Sequence, residues 1–210
     1  MKNTGISILA AFLLLGVAFT HVSCQVGDCM RGNGLSFVSE RKTSPFYKLS
    51  INGGFEVLLI QGEQEFIKIK ADKNLHEYIK TDVNKGELVI STERNICFDE
   101  TEDLTIVINY KDISEVGING AVDLKTKNVM KTEDIKMLIN GAANVELDLE
   151  AEQIFAQVNG AANMDLSGEV YRADVDVTGA GNLNASNLLT EHFRINMSGA
   201  GHADLLVNDV

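Results

Sequence analysis

Ile118-Asn119-Gly120-Ala121 returns as Ile139-Asn140-Gly141-Ala142, Val158-Asn159-Gly160-Ala161, Val177-Thr178-Gly179-Ala180 and Met197-Ser198-Gly199-Ala200. Its Asn, Thr or Ser recurs at steps of 21, 19, 19 and 20 residues. A fixed step near 20 residues is the mark of an architecture in which each repeat stacks on its neighbours. The position two before the apolar residue is again apolar: Val116, Met137, Ala156, Val175, Ile195. Between them stand Gly117, Leu138, Gln157, Asp176 and Asn196. This alternation has the period of a strand, and a helical stripe is absent. Past the Gly-Ala the alternation resumes through Leu124, Val145, Met164, Leu183 and Ala203. Each repeat therefore reads as strand, small-residue corner, strand. Ile118, Ile139, Val158, Val177 and Met197 are expected to form one buried column.

Outward from the repeat, the chain is less regular. Tyr47 to Val57 echoes the phrase once, with Asn52-Gly53-Gly54 at its corner. Strand-like runs follow at Phe66–Ala71, Glu87–Thr92 and Leu104–Tyr110, with a hairpin turn expected at Asp82–Gly86 and a short helix within Asn74–Ile79. The expected fold is all-β: a parallel β-helix-like solenoid of about 20-residue repeats, preceded by a less regular β-rich lobe. The expected organisation is a signal peptide over 1–23 and a lipid-anchor tether over 24–36. An N-terminal lobe over 37–115 and the repeats over 116–210 then form one continuous domain.

The N-terminus carries an address. Lys2 precedes an apolar run from Ile6 to Phe19, too short for a membrane span of roughly 20 residues and suited to an export signal. His21-Val22-Ser23-Cys24 resembles the lipobox of bacterial lipoproteins, with His21 where that motif carries Leu or another aliphatic residue. The resemblance implies lipid attachment at Cys24 and anchoring to a membrane; ordinary secretion with cleavage nearby is the alternative. The expected location is the outer membrane or cell surface, with the periplasmic face also open. Cys29 and Cys97 remain as an even pair in an oxidising compartment, expected to form a disulfide; two unpaired thiols are the alternative.

Composition bounds the chemistry. The chain has 210 residues, 30 acidic and 18 basic, for a net charge of −12. Nucleic acid is a disfavoured partner, because phosphate neutralisation needs clustered Lys and Arg. No Cys/His group has zinc spacing, and no Ser-His-Asp or Cys-His arrangement points to nucleophilic catalysis. Gly179-Ala180-Gly181 and Gly199-Ala200-Gly201 lack the helix and Lys of a phosphate loop and read as corners. His202 reads as a polar rim residue. No catalytic residue, cofactor or metal is expected. One face stands out: Asn144, Asn163 and Asn182 lie two residues before Glu146, Asp165 and Asn184, with Asp204 closing the second column. Asn144, Glu146, Asn163, Asp165, Asn182 and Asp204 form a candidate ligand face for a sugar, or for a cation where carboxylates stack about 4.8 Å apart.

Cys29 with Gly32-Asn33-Gly34, the Ile51–Val57 phrase, Ala71–Leu75, Gly86–Ile90 and the ordered Asn-Gly-Ala and Gly-Ala-Gly corners carry a further likeness. Residues 29–210 resemble the head GIN domain family of adhesins from Bacteroidetes cell envelopes. The resemblance implies a β-solenoid envelope protein, often a lipoprotein, and brings no catalytic residue with it. The expected function is a non-enzymatic binding, adhesion or structural module facing an envelope glycan or surface protein. The alternatives are a carbohydrate-active β-helix enzyme and a binder of lipid or a small apolar ligand.

Overall fold

The computed structural model describes residues 28–93, 96–99 and 104–206. Ten strands follow in order: β1 Asp28–Arg31, β2 Ser36–Lys42, β3 Lys48–Gln61, β4 Phe66–Asp72, β5 Ile79–Asn84, β6 Glu87–Thr92, β7 Ile96–Asp99, β8 Thr105–Tyr110, β9 Glu115–Thr126 and β10 Met130–Leu205. One short 3-10 turn, Lys73–Leu75, stands where the helix was expected. The protein is all-β, as its alternating pattern implies.

The main sheet is open and mixed, ordered β10-β9-β3-β8-β4-β2, with β6 also on β3 and β5 on β6. β9 pairs in parallel with β10, Asn119 against Asn140 and Gly120 against Gly141. β3 pairs in parallel with β9 from Lys48 to Leu59, Asn52 against Asn119 and Gly53 against Gly120. The echo of the repeat phrase at Tyr47–Val57 is therefore physical: it is the strand on which the repeats stack. Antiparallel pairs β2–β4, β4–β8 and β5–β6 belong to the N-terminal part alone.

β3 forks. Its first arm, Lys48–Asn52, lies on β6, and its second arm, Glu56–Gln61, lies on β8. The bend between them is Gly53, at φ +141°. The β5–β6 hairpin turns on Lys85 and Gly86 at φ +51° and +79°, the pair of positive angles a two-residue turn demands.

Period-two burial runs through the repeats. Val116, Met137, Ala156 and Val175 are buried, as are Ile118, Ile139, Val158 and Val177. Beyond the corner Leu124, Val145, Met164 and Leu183 are buried too. The expected column fails at its last member. Met197 is 37% exposed, because it lies on the final pass of the chain, where no described segment packs over it. No polar or charged residue is buried among those described.

The N-terminal edge is tied twice. β1, which falls inside the stretch expected to be a tether, pairs in parallel with β7, Cys29 directly opposite Cys97. A disulfide joins the two across a Cα–Cα distance of 4.4 Å. Arg41 on β2 donates to the Ile79 and His76 carbonyls at 2.7 and 2.9 Å and to Thr81 Oγ1 at 3.0 Å. Burial lowers the pKa of this guanidinium, with Asp82 acting in the opposite direction.

Candidate binding groove

Each corner is built on a glycine in the left-handed region: Gly120, Gly141, Gly160, Gly179 and Gly199 have φ between +129° and +139°. A Cβ on Gly141 would collide with the Gly120 carbonyl oxygen, and one on Gly160 with that of Gly141. Only glycine combines that angle with that closeness. The residue after it stays small, so the chain leaves each corner without bulk on its outer side.

The consequence is a groove. Ala121, Ala142, Ala161, Ala180 and Ala200 line it together with Asp123, Asn144, Asn163 and Asn182, around a volume of about 620 Å³. A second hollow of about 560 Å³ shares Ala121 and Asp123 with the first. The two make one trough, which ends among Phe55, Phe98, Leu104 and Cys97. The repeats thus lead directly to the disulfide-held part of the molecule.

One wall is a ladder of amides. Asn144 Nδ2 donates to Asp123 Oδ1 at 2.5 Å, Asn163 to Asn144 Oδ1 at 2.9 Å, and Asn182 to Asn163 Oδ1 at 2.9 Å. Each ladder bond uses one amide hydrogen and one oxygen lone pair. A carboxamide has two of each, so every asparagine rung keeps a donor and an acceptor for something else, while Asp123 only accepts. Rungs follow at the strand spacing, about 4.8 Å. A second ladder, Asn52–Asn119–Asn140–Asn159, runs before the corner with bonds of 3.0, 3.2 and 3.2 Å; it does not line the groove.

The six residues expected to form one ligand face divide. Asn144, Asn163 and Asn182 line the groove; Glu146, Asp165 and Asp204 stand outside its lining. The second column is also no stack of bare carboxylates. Lys125 Nζ lies 3.0 Å from Glu146, Asn184 donates to Asp165 at 2.8 Å, and His202 Nε2 lies 3.0 Å from Asp204. The bond to Glu146 raises the pKa of Lys125. The repulsion that would recruit a cation is relieved within the column. Among the described residues no group of three or more His, Cys, Asp or Glu is placed to hold a metal. Sequence reasoning missed the alanines as lining; their signal is the alanine that follows each corner glycine of the repeats.

The trough holds two carboxylates side by side. Glu56 and Asp123 are in register on β3 and β9 and both line the shared hollow. Each already accepts a hydrogen bond, Glu56 from Thr105 Oγ1 at 3.2 Å and Asp123 from Asn144. Cys24 and the expected export signal lie outside the described residues, and among those described no helix is long and apolar enough to cross a membrane.

Solved structures share this fold at low identity. A "putative adhesin" from Parabacteroides merdae superposes with a TM-score of 0.62 at 20% identity, covering 84% of this chain and 83% of that one. One from Bacteroides fragilis gives 0.58 at 12%, over 83% of this chain and 98% of that one. A "putative lipid binding protein" from Parabacteroides distasonis gives 0.54 at 14%, over 86% and 98%. Comparison with curated proteins gives no match. At the level of sequence, one family's profile runs from residue 45 to residue 210, across β3, the fork and every glycine corner. The chain belongs to that family, described as "Putative auto-transporter adhesin, head GIN domain".

Proposed function

We propose that the chain is an exported cell-envelope lipoprotein, anchored through Cys24, that acts as a non-enzymatic binding or adhesion module. In this reading β9 and β10 form a solenoid of about 20-residue repeats, continuous with the N-terminal lobe. The groove along its corners holds an extended, hydroxyl-rich ligand of the envelope-glycan class. The observation that carries it is the Asp123–Asn144–Asn163–Asn182 ladder beside a floor of alanines. It offers a spare donor and acceptor at each asparagine and acceptor oxygens at Asp123, at a repeat near the rise of one sugar in an extended glycan. Family membership supports an adhesive role and a place in the envelope.

The apolar end of the trough at Phe98 and Leu104, with a lipid-binding description on one structural neighbour, favours a second reading: an acyl or other apolar ligand. The paired Glu56 and Asp123 are where a carbohydrate-active reading would look first.

The test is binding of purified envelope polysaccharides and fluorescent fatty acids to the wild type and to an Asn144→Leu/Asn163→Leu variant. Glycan binding lost in the variant, with the fold retained, supports the reading. Fatty-acid binding without glycan binding moves the function to the trough's apolar end. Release of new reducing ends, abolished in Glu56→Gln, replaces the module with an enzyme.

A further inference from the structure

Among the described residues, nothing covers the edge left by the last described pass, residues 189–206. β10 ends the strand order of the main sheet, and no residue from Leu189 to Leu206 is fully buried. Phe193, Ile195, Ala203 and Leu205 are partly buried apolar residues packed on the core from this pass, and Met197 stands 37% exposed beside them. Among the described residues nothing pairs with the outer backbone of this pass. A sheet edge over an open apolar core is a template for another strand. The opposite end of the repeats is closed, because β9 is already seated on β3. A second copy cannot add head to tail without displacing the N-terminal lobe, so an open filament is disfavoured and a closed pair favoured.

We propose that this edge is the seat of a second copy of the chain, paired antiparallel about a two-fold axis through Gly199. The sequence of the pass is self-complementary about that point. Residues equidistant from Gly199 face each other: Arg194 meets Asp204 of a second copy, and Asn196 meets its His202. Phe193 meets its Leu205, Ile195 its Ala203, and Met197 its Gly201. Inward residues meet inward residues and outward meet outward, because every facing pair is an even number of residues apart. Gly199 is also the bend of the pass, at φ +133°. An axis bisecting the bend swaps its two arms and keeps the core side of each copy over the core side of the other. The two ionic pairs, related by the symmetry, lie at the ends of the contact. Arg194 and Asp204 are 71% and 64% exposed in the single chain. Their present neighbours, Asp174 at 3.7 Å and His202 at 3.0 Å, leave both able to take a further partner. The contact involves fewer than the roughly 20–30 residues a side of a standard interface, which points to a micromolar dimer.

Sedimentation equilibrium of the purified chain over about 1–300 μM tests this in three variants besides the wild type. The expected wild-type result is a monomer–dimer equilibrium. Asp204→Arg sets like charges at both ends and is expected to weaken dimerisation at least about tenfold; Arg194→Asp is expected to do the same. The double exchange Arg194→Asp/Asp204→Arg is expected to restore the dimer, since it re-forms the pairs with reversed sign. Circular dichroism of each variant controls for folding, and Asp204→Arg, which alters no core residue, decides the case if Arg194→Asp lowers stability through Asp174. A wild type monomeric over the whole range overturns the proposal. So does a dimer indifferent to the single charge reversals, because some other face then holds it.

Discussion

Gly141 lies directly over Gly120, so close that a Cβ on the first would overlap the carbonyl oxygen of the second. The same relationship links Gly160 to Gly141 and Gly179 to Gly160. Gly141→Ala combines a disfavoured positive φ with a backbone clash on an interior pass. It is expected to cost roughly 2–5 kcal/mol, read by urea denaturation. Gly34, also at positive φ but with open space around it, is expected to lose only about 1 kcal/mol as Ala.

The interior and the open end of the apolar column should respond differently. Ile139→Ala removes a fully buried side chain from the middle of the column and is expected to cost about 2–5 kcal/mol. Met197→Ala, on the uncovered pass, is expected to stay within about 1 kcal/mol when measured on the monomer. Equal costs at the two positions would contradict the burial described above.

Alkaline pH should destabilise the fold through Tyr110. Burial, reinforced by Asp112, pushes its phenol well above the ordinary tyrosine value. Below about pH 10 the side chain is neutral whether the chain is folded or not. Above that, the unfolded chain releases the proton first, so stability falls as pH rises. Lys48, raised mainly by its hydrogen bond to Glu115, acts in the same direction but is exposed. Tyr110→Phe is expected to flatten the loss of stability between about pH 9 and pH 12, measured by chemical denaturation at each pH.

Reduction of the Cys29–Cys97 bond should loosen the N-terminal edge. The cysteines are 68 residues apart in sequence, and closing a loop of that order stabilises by about 2–4 kcal/mol. The denatured, unreduced protein is expected to show no titratable thiol from this pair. Reducing agent should lower the denaturation midpoint and raise hydrogen exchange first in β1 and β7.

The anchor is tested separately. Cys24→Ala is expected to move the protein from the membrane fraction to the soluble fraction, or to leave unprocessed precursor. A wild type without acyl label and freely soluble would remove the lipoprotein reading.

Much of the fold was legible because the repeats state it many times. Asn-Gly-Ala corners flanked by period-two apolar residues mark β9 and β10, and the single echo at Asn52-Gly53 marks β3. The fork of β3 was not legible, since pairing its arms with β6 and β8 is a matter of distant register, which no local pattern encodes. Met197 was misplaced because the pattern at Met197 matches that at Ile139; the difference lies in what stacks above. The groove was half legible. Asn144, Asn163 and Asn182 stood out as a column, but a stripe of alanines reads as spacing until the walls beside it are seen. Lys125 and Asn184 interrupt the column of Glu146, Asp165 and Asp204, and their pairing removed the charge stack that the carboxylates alone suggest.

The amide ladder has a consequence for how such a groove changes size. Asn144 bonds to Asp123 before it and to Asn163 after it, and to no other rung. Duplicating the stretch from one corner glycine to the next therefore satisfies every hydrogen bond it creates and disturbs none beyond its two neighbours. Groove length becomes a counted quantity, extended by about 4.8 Å per added pass. Length, and with it the number of ligand units engaged at once, is thereby set by copy number, while the fork of β3 and the disulfide stay untouched at the fixed end of the scale.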